Sequence, residues 1–174
     1  MDFAVHTETS LLVSFVDLTG FFQLCRRLPE RRVASFLDDY YERVAARTIA
    51  ASGLVVKFMG DGALLAFPEE AVDRAVNALL DLKVEVDAWL EGQGLDSRLM
   101  VKAHFGPVVA GPFGARGAKR FDLVGQTVNT AATLETRTFA ISPQAFRKLA
   151  PATRRRFKKH TPPITYIPLE ARRP

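Results

Sequence analysis

Residues 55–68, VVKFMGDGALLAFP, place two apolar runs on either side of a turn that holds Gly60, Asp61 and Gly62. Runs of this kind broken by a glycine-bearing turn read as a β-hairpin, and a hairpin needs further strands and a covering layer to be stable. Its flanks supply both. Upstream, LLVSFVDL (11–18) reads as a strand ending at Asp17 and the Thr19-Gly20 turn. Between the two, residues 32–52 set Val33, Phe36, Leu37, Tyr40, Tyr41 and Val44 at helical spacing until Gly53 stops the helix. Downstream, EEAVDRAVNALLDLKVEVDAWLEGQG is a second amphipathic helix, acidic in its first turn and closed by Gly92 and Gly94. SRLMVKAHFG follows as a strand.

Strand, helix, strand, strand, helix, strand is the split β-α-β pattern of ferredoxin-like folds. The expected class is therefore α+β, a ferredoxin-like βαββαβ core carrying C-terminal β-α elaborations. In those elaborations PVVAGPFG reads as a separate short strand, RFDLVG as a strand ending in a turn, and QTVNTAATLETR as a helix running through Arg137. FAIS, PQAFRKLA and ITYIPL read as a last strand, helix and strand. With no internal repeat, low-complexity tract or Gly/Ser linker, residues 1–174 are expected to form one domain.

Charge narrows the function classes. The net charge of +5 comes from clusters at Arg26-Arg27, Arg31-Arg32, Arg154 to Arg156 with Lys158 and Lys159, and Arg172-Arg173. Such a balance suits polyanions, either nucleic acid or a nucleotide triphosphate. No zinc-finger spacing, aromatic-basic ribonucleoprotein motif or clear helix-turn-helix supports nucleic acid, so no nucleic-acid partner is expected. The single cysteine, Cys25, excludes an internal disulfide framework and reads as a buried small hydrophobe. MDFAVHTETS has neither the basic start nor the apolar stretch of a secretory signal, and no run is long enough to span a bilayer, so a cytoplasmic location without a membrane segment is the expectation. His104, on a strand with no second ligand at metal spacing, reads as structural.

The hairpin turn raises a chemical question of its own. In a ferredoxin-like sheet the first and third strands are antiparallel neighbours, so the exit of LLVSFVDL lies beside the Gly60-Asp61-Gly62 turn and Asp17 meets Asp61. Two carboxylates brought together at a sheet rim are costly unless a cation neutralises them. Magnesium held by one or two carboxylates and phosphate oxygens, or a pair of such ions about 3.5–4 Å apart, is the arrangement used for phosphoryl chemistry.

FVDLTGFF, VVKFMGDG, VKAHFGPVVAGPFG and FDLVGQTVNTAATLE, in that order and spacing, together resemble the catalytic domain of the class III nucleotide cyclases, the adenylate and guanylate cyclase family. The likeness runs from about Leu11 to Leu169. It implies a head-to-tail homodimer with active sites at the interface, two Mg²⁺ or Mn²⁺ ions per site, and a nucleoside triphosphate substrate. Asp17 and Asp61 resemble the metal-binding aspartates, with the Leu18 carbonyl near the second ion. The amides of Gly20, Phe21 and Phe22 are similarly set to hold the triphosphate, in keeping with anion capture by backbone amides at a turn. Lys57 and Asp122 resemble the pair that reads the base, and Asn129 the residue that orients the ribose from the partner chain. An ammonium meets adenine N1 and a carboxylate its 6-amino group, whereas guanine has the opposite polarity at both places. The resemblance thus implies an adenylate cyclase forming 3′,5′-cyclic AMP and pyrophosphate from ATP.

Three features depart from the family pattern. Thr133 stands where the family has its transition-state arginine, one turn after the Asn; Arg137, a further turn along, reaches back if the helix continues that far. Phe22 replaces a residue that commonly carries a hydroxyl. The C-terminal region is short, and Lys159 or Lys158 takes the place of the family's phosphate-binding lysine. Three classes of function stay open: an adenylate cyclase slowed by Thr133, a catalytically impaired homologue that binds nucleotide or dimerises as a regulatory module, and a polymerase palm on the same core fold.

Overall fold

The structure is a computed structural model and describes residues 5–169. A long first strand β1 (Thr7–Leu18) leads through a one-turn helix α1 (Phe21–Cys25) into α2 (Glu30–Ala50). The hairpin follows as β2 (Leu54–Met59) and β3 (Gly62–Pro68), then a 3-10 turn at Glu69–Ala71, α3 (Val72–Gly92) and β4 (Leu99–Phe113). The remainder comprises β5 (Arg120–Val124), α4 (Gln126–Thr133), β6 (Phe139–Ile141), α5 (Pro143–Arg147), α6 (Pro151–Arg154), β7 (Phe157–His160) and β8 (Thr165–Pro168).

These strands form one mixed sheet in the order β2-β3-β1-β4-β6-β8-β7, with β5 paired to β4. The first four strands in that order, antiparallel throughout, are the ferredoxin-like core expected from the element pattern. Among the described residues only β4 and β6 run parallel. Alternation along β1 explains the layering. Leu12 and Val16 face α2 and α3, where they pack with Phe36, Tyr40 and Val44 of one helix and Val76, Leu79, Leu82 and Val86 of the other. Leu11 and Val13 point the other way, into a smaller cluster with Leu64, Val108, Leu123 and Ala131, beneath β5 and α4. Full burial of side chains of this size contributes roughly 1.5–3 kcal/mol each. Trp89 belongs to the helix layer as well, stacked on Phe36 at 4.8 Å.

Several elements differ from expectation. VKAHFG and PVVAGPFG are one strand, paired with β1 from Thr7↔Ala110 to Leu18↔Leu99. Pro107 does not break it because its carbonyl turns away from β1 to accept the Thr127 hydroxyl at 2.6 Å. The N and O of a strand residue point to one side, so its missing donor costs no bond to β1. The helix at QTVNTAATLETR stops at Thr133: Leu134 takes an extended backbone (φ −57°, ψ 127°) and buries its side chain, so Arg137 is not on the helix. A short helix α6 and the edge strand β7 were not expected, and β7 is polar on its outer residues. Cys25 is half-buried at the end of α1 rather than buried.

Candidate active site

The end of β1 is fastened to the start of β4. Thr19 donates its amide to the Arg98 carbonyl at 2.9 Å, its hydroxyl accepts the Arg98 amide at 2.9 Å, and its carbonyl accepts the Ser97 hydroxyl at 2.6 Å. Gly20 then takes a left-handed conformation (φ 71°) that opens α1. The Gln23 and Leu24 amides turn back to the Gly20 carbonyl, so Gly20, Phe21 and Phe22 supply the amides that a helix start presents to an anion. Phe22 is exposed, projecting into solvent beside them.

Asp17 lies on the face opposite the helix layer, one residue past Val16, whose partner Ala63 is in β3. The turn between β2 and β3 brings Asp61 to it. Gly60 makes that turn possible with φ 64°. Gly62 packs close to the pair: a Cβ there would lie 3.5 Å from the Asp17 carboxylate, an ordinary contact distance. The Asp61 carboxyl lies beside the Leu18 amide and the Asp17 carboxylate, and its pKa is pushed up to about 6, first by burial and then by the neighbouring Asp17 charge. Two carboxylates this close repel one another, a cost that a divalent cation between them would remove. The donor set fits such an ion. Among the described residues no group of three or more His, Cys, Asp or Glu gathers at a metal-binding spacing, so the pair leaves most of a coordination shell to carbonyl, phosphate and water oxygens, as magnesium prefers.

Beneath the pair, the Tyr40 hydroxyl is buried without a partner among the described residues, and burial, with Asp17 and Asp61 close by, raises its pKa. Tyr41 stacks on Phe58 with ring centroids 3.9 Å apart and donates to the Gly60 carbonyl at 2.6 Å. Both tyrosines read in sequence as core positions of α2. Beside Asp17 opens a cavity of about 260 Å³, bounded by Phe15, Met59, Gly62, Met100, Lys102 and Ala132.

Lys57 and Asp122 do meet: the ammonium donates to the carboxylate at 2.6 Å, with side chains 42% and 29% exposed. Two local features bring this about. The β2/β3 register shifts between Val55 and Lys57, so Lys57 stands opposite Leu64 instead of Ala63. Leu64 belongs to the cluster away from the helices, and the shift therefore turns Lys57 to that face. The β4–β5 arm then crosses the same face until β5 touches β2, although β3, β1 and β4 lie between them in the sheet. Asp122 is further held by its own strand, accepting the Leu123 amide at 2.8 Å.

Asn129 is exposed within α4, where its carbonyl accepts the Thr133 hydroxyl at 2.9 Å. Neither Asn129, Lys57 nor Asp122 lines the cavity beside Asp17. Arg137 shares an adjoining cavity of about 560 Å³ with Lys102, Thr133, Thr136, Thr138 and His160. Lys159 stands exposed on the outer strand β7, separated from β1 by β4, β6 and β8, or roughly 19 Å at about 4.8 Å per strand. The structure does not bring it to the aspartates of its own chain. His104 is buried, its ring pKa lowered by that burial, and Nδ1 has no partner among the described residues, consistent with a structural histidine. Lys102 escaped the sequence reading; its signal is parity, since it lies two residues before His104 on the strand that pairs with Asp17's strand.

Comparison with known proteins places this geometry. Residues 4–154 match the family described as adenylate and guanylate cyclase catalytic domain. Adenylate cyclase 2 of Rhizobium meliloti (strain 1021) is 30% identical over 151 residues, covering 79% of this chain and 41% of that protein. The chain thus spans less than half the length of these curated relatives. A bacterial light-regulated adenylyl cyclase superposes with a TM-score of 0.85 at 21% identity, covering 98% of this chain and 55% of the other. The guanylyl cyclase Cya2 superposes with a TM-score of 0.78 at 22% identity, covering 92% of this chain and 91% of the other, so the fold is common to both base specificities. No helix among the described residues is long and apolar enough to cross a membrane. With more than half its length matched and its core strands in the expected order, the chain belongs to the adenylate and guanylate cyclase catalytic domain family.

Proposed function

We propose that this chain is an adenylate cyclase, converting ATP to 3′,5′-cyclic AMP and pyrophosphate at sites completed by two copies of the chain. The observation that carries the choice of ATP is the Lys57–Asp122 pair, a donor and an acceptor fixed 2.6 Å apart. Adenine offers the matching acceptor and donor; guanine would leave both groups mismatched, at about 1–3 kcal/mol for each buried polar group left unpaired.

Asp17 and Asp61 would hold two divalent cations, which supply charge neutralisation at the transferring phosphoryl group. The amides of Gly20, Phe21 and Phe22 bind the triphosphate, and Asn129 orients the ribose so that its 3′-hydroxyl faces the α-phosphorus in line with departing pyrophosphate. The cavity beside Asp17 lacks the base-reading residues of its own chain, which supports a head-to-tail dimer in which one copy gives Asp17 and Asp61 and the other Lys57, Asp122 and Asn129. Retention of these motifs in series favours a cyclase over a polymerase palm.

A second reading rests on Thr133. Its hydroxyl is taken by the Asn129 and Thr130 carbonyls, and it offers no cation to the phosphoryl group. A protein of this kind would bind nucleotide and dimerise without turnover. One assay separates the two: purified chain is incubated with ATP or GTP and magnesium or manganese, beside Asp17→Ala, and cyclic nucleotide is measured. Cyclic AMP that disappears in Asp17→Ala supports the enzyme. Preferential cyclic GMP would overturn the base assignment, and absence of any product with dimerisation intact would leave the regulatory reading.

A further inference from the structure

Lys102 holds a position that the roles above do not use. It stands opposite Phe15 in the β1/β4 register, while Met100 stands opposite Asp17. Its neighbours Val101 and Ala103 point into the helix-covered core, so Lys102 projects from the same sheet face as Asp17. It borders both the cavity beside Asp17 and the larger one that contains Thr133, Arg137 and His160. Its ammonium donates to the Ala132 carbonyl at 3.1 Å, in the last turn of α4.

An ammonium carries three donors, and that carbonyl uses one. None of the ion pairs among the described residues includes Lys102, although it borders the same cavity as Asp17. Its charge is therefore fixed on a wall between two cavities rather than spent on a carboxylate. The groups that share the larger cavity point the same way: Arg137, His160 and the hydroxyls of Thr133, Thr136 and Thr138, with Glu135 the acid among them. A ligand with several negative charges, anchored at Asp17 and Asp61 through cations and extending toward α4, would pass Lys102.

We propose that Lys102 binds the phosphate chain of the nucleotide, donating to a phosphate oxygen from the wall shared by the Asp17 and Thr133 cavities. The ligand class is a di- or triphosphate, and pyrophosphate is its smallest form. This rests on the nucleotide reading given above. Lys102 is thus a substrate-binding residue, with the Ala132 carbonyl setting the direction of its ammonium.

The test is calorimetric titration of the full chain with ATP, AMP and pyrophosphate in magnesium, for the wild type, Lys102→Met and Lys102→Arg. A charge-assisted bond to phosphate sets the expectation: Lys102→Met weakens ATP and pyrophosphate about 10- to 100-fold and leaves AMP within about twofold. Lys102→Arg recovers most of that loss. Wild-type affinity for pyrophosphate and ATP in Lys102→Met overturns the proposal alone. An equal loss for AMP also overturns it, because Lys102 would then act only by fastening α4. A wild-type chain that binds none of the three overturns the nucleotide reading along with it.

Discussion

The Tyr41 hydroxyl donates to the Gly60 carbonyl at 2.6 Å, which ties the middle of α2 to the turn that carries Asp61. The turn is thereby positioned from two directions, by the strands it joins and by the helix layer behind it. Tyr41→Phe keeps the ring stacked on Phe58 and removes only this bond. We expect a loss of about 0.5–1.5 kcal/mol in stability and weaker manganese binding at Asp17 and Asp61, read by thermal unfolding and by metal titration. Unchanged metal affinity would show that the strands alone suffice.

Base choice depends on Asp122 in the proposed reaction. Asp122→Asn retains the size of the side chain but replaces one acceptor oxygen with a donor and removes the ion pair with Lys57. The ratio of kcat/KM for ATP over GTP is expected to fall about 5- to 100-fold, mainly through loss of ATP turnover. An unaltered ratio would exclude Asp122 from base reading.

Asp61 gives the metal-free protein a recognisable pH response. Its carboxyl is held at about 6 in the folded chain against an ordinary value of 3.8, so the folded state binds this proton more tightly than the unfolded one. Stability contributed by that proton is present at low pH and fades as pH rises from about 4 through about 6. His104 works with the opposite slope, because its lowered pKa costs stability as pH falls through the histidine range. The difference between wild type and Asp61→Asn in thermal unfolding from pH 4.5 to 8 isolates the Asp61 share. Magnesium competes with the proton, so its stabilising effect should grow as pH rises through about 6 and level off above it. A wild type and Asp61→Asn pair with parallel pH profiles would contradict this.

Thr133 is exposed and close to Arg137 and Lys102 around one cavity. Thr133→Arg is expected to raise turnover by roughly 10²-fold or more if the chain is a slowed cyclase, judged by what single donors aimed at a developing negative charge contribute. In an Asp17→Ala background the gain should vanish. Cyclic nucleotide formation measures both.

How much of this was readable in the residues follows from which forces are local. Helical spacing in α2 and α3 and the apolar runs of β1 to β3 predicted the core order, and the order alone predicted that Asp17 and Asp61 meet. The bulge between Val55 and Lys57 was not readable, because its effect lies in the partner strand's register and not in VVKFM itself. Gly106-Pro107 looked like a break until Thr127 accounted for the Pro107 carbonyl, a contact across 20 residues. Leu134 carries no helix-breaking signal; burial of its side chain ends α4 early and removes the helical route by which Arg137 was expected to reach back. Edge strand β7, with FKKH partly exposed, lacks the alternation that marks a covered strand.

The arm formed by β4 and β5 has a consequence for synthesis of the chain. Lys57 and Asp122 are 65 residues apart and join only when that arm crosses the face of β1 and β3. Contacts of such long range carry the loop-closure cost and form late. A growing chain would therefore acquire its acidic cation cradle first and its capacity to tell one purine from the other afterwards.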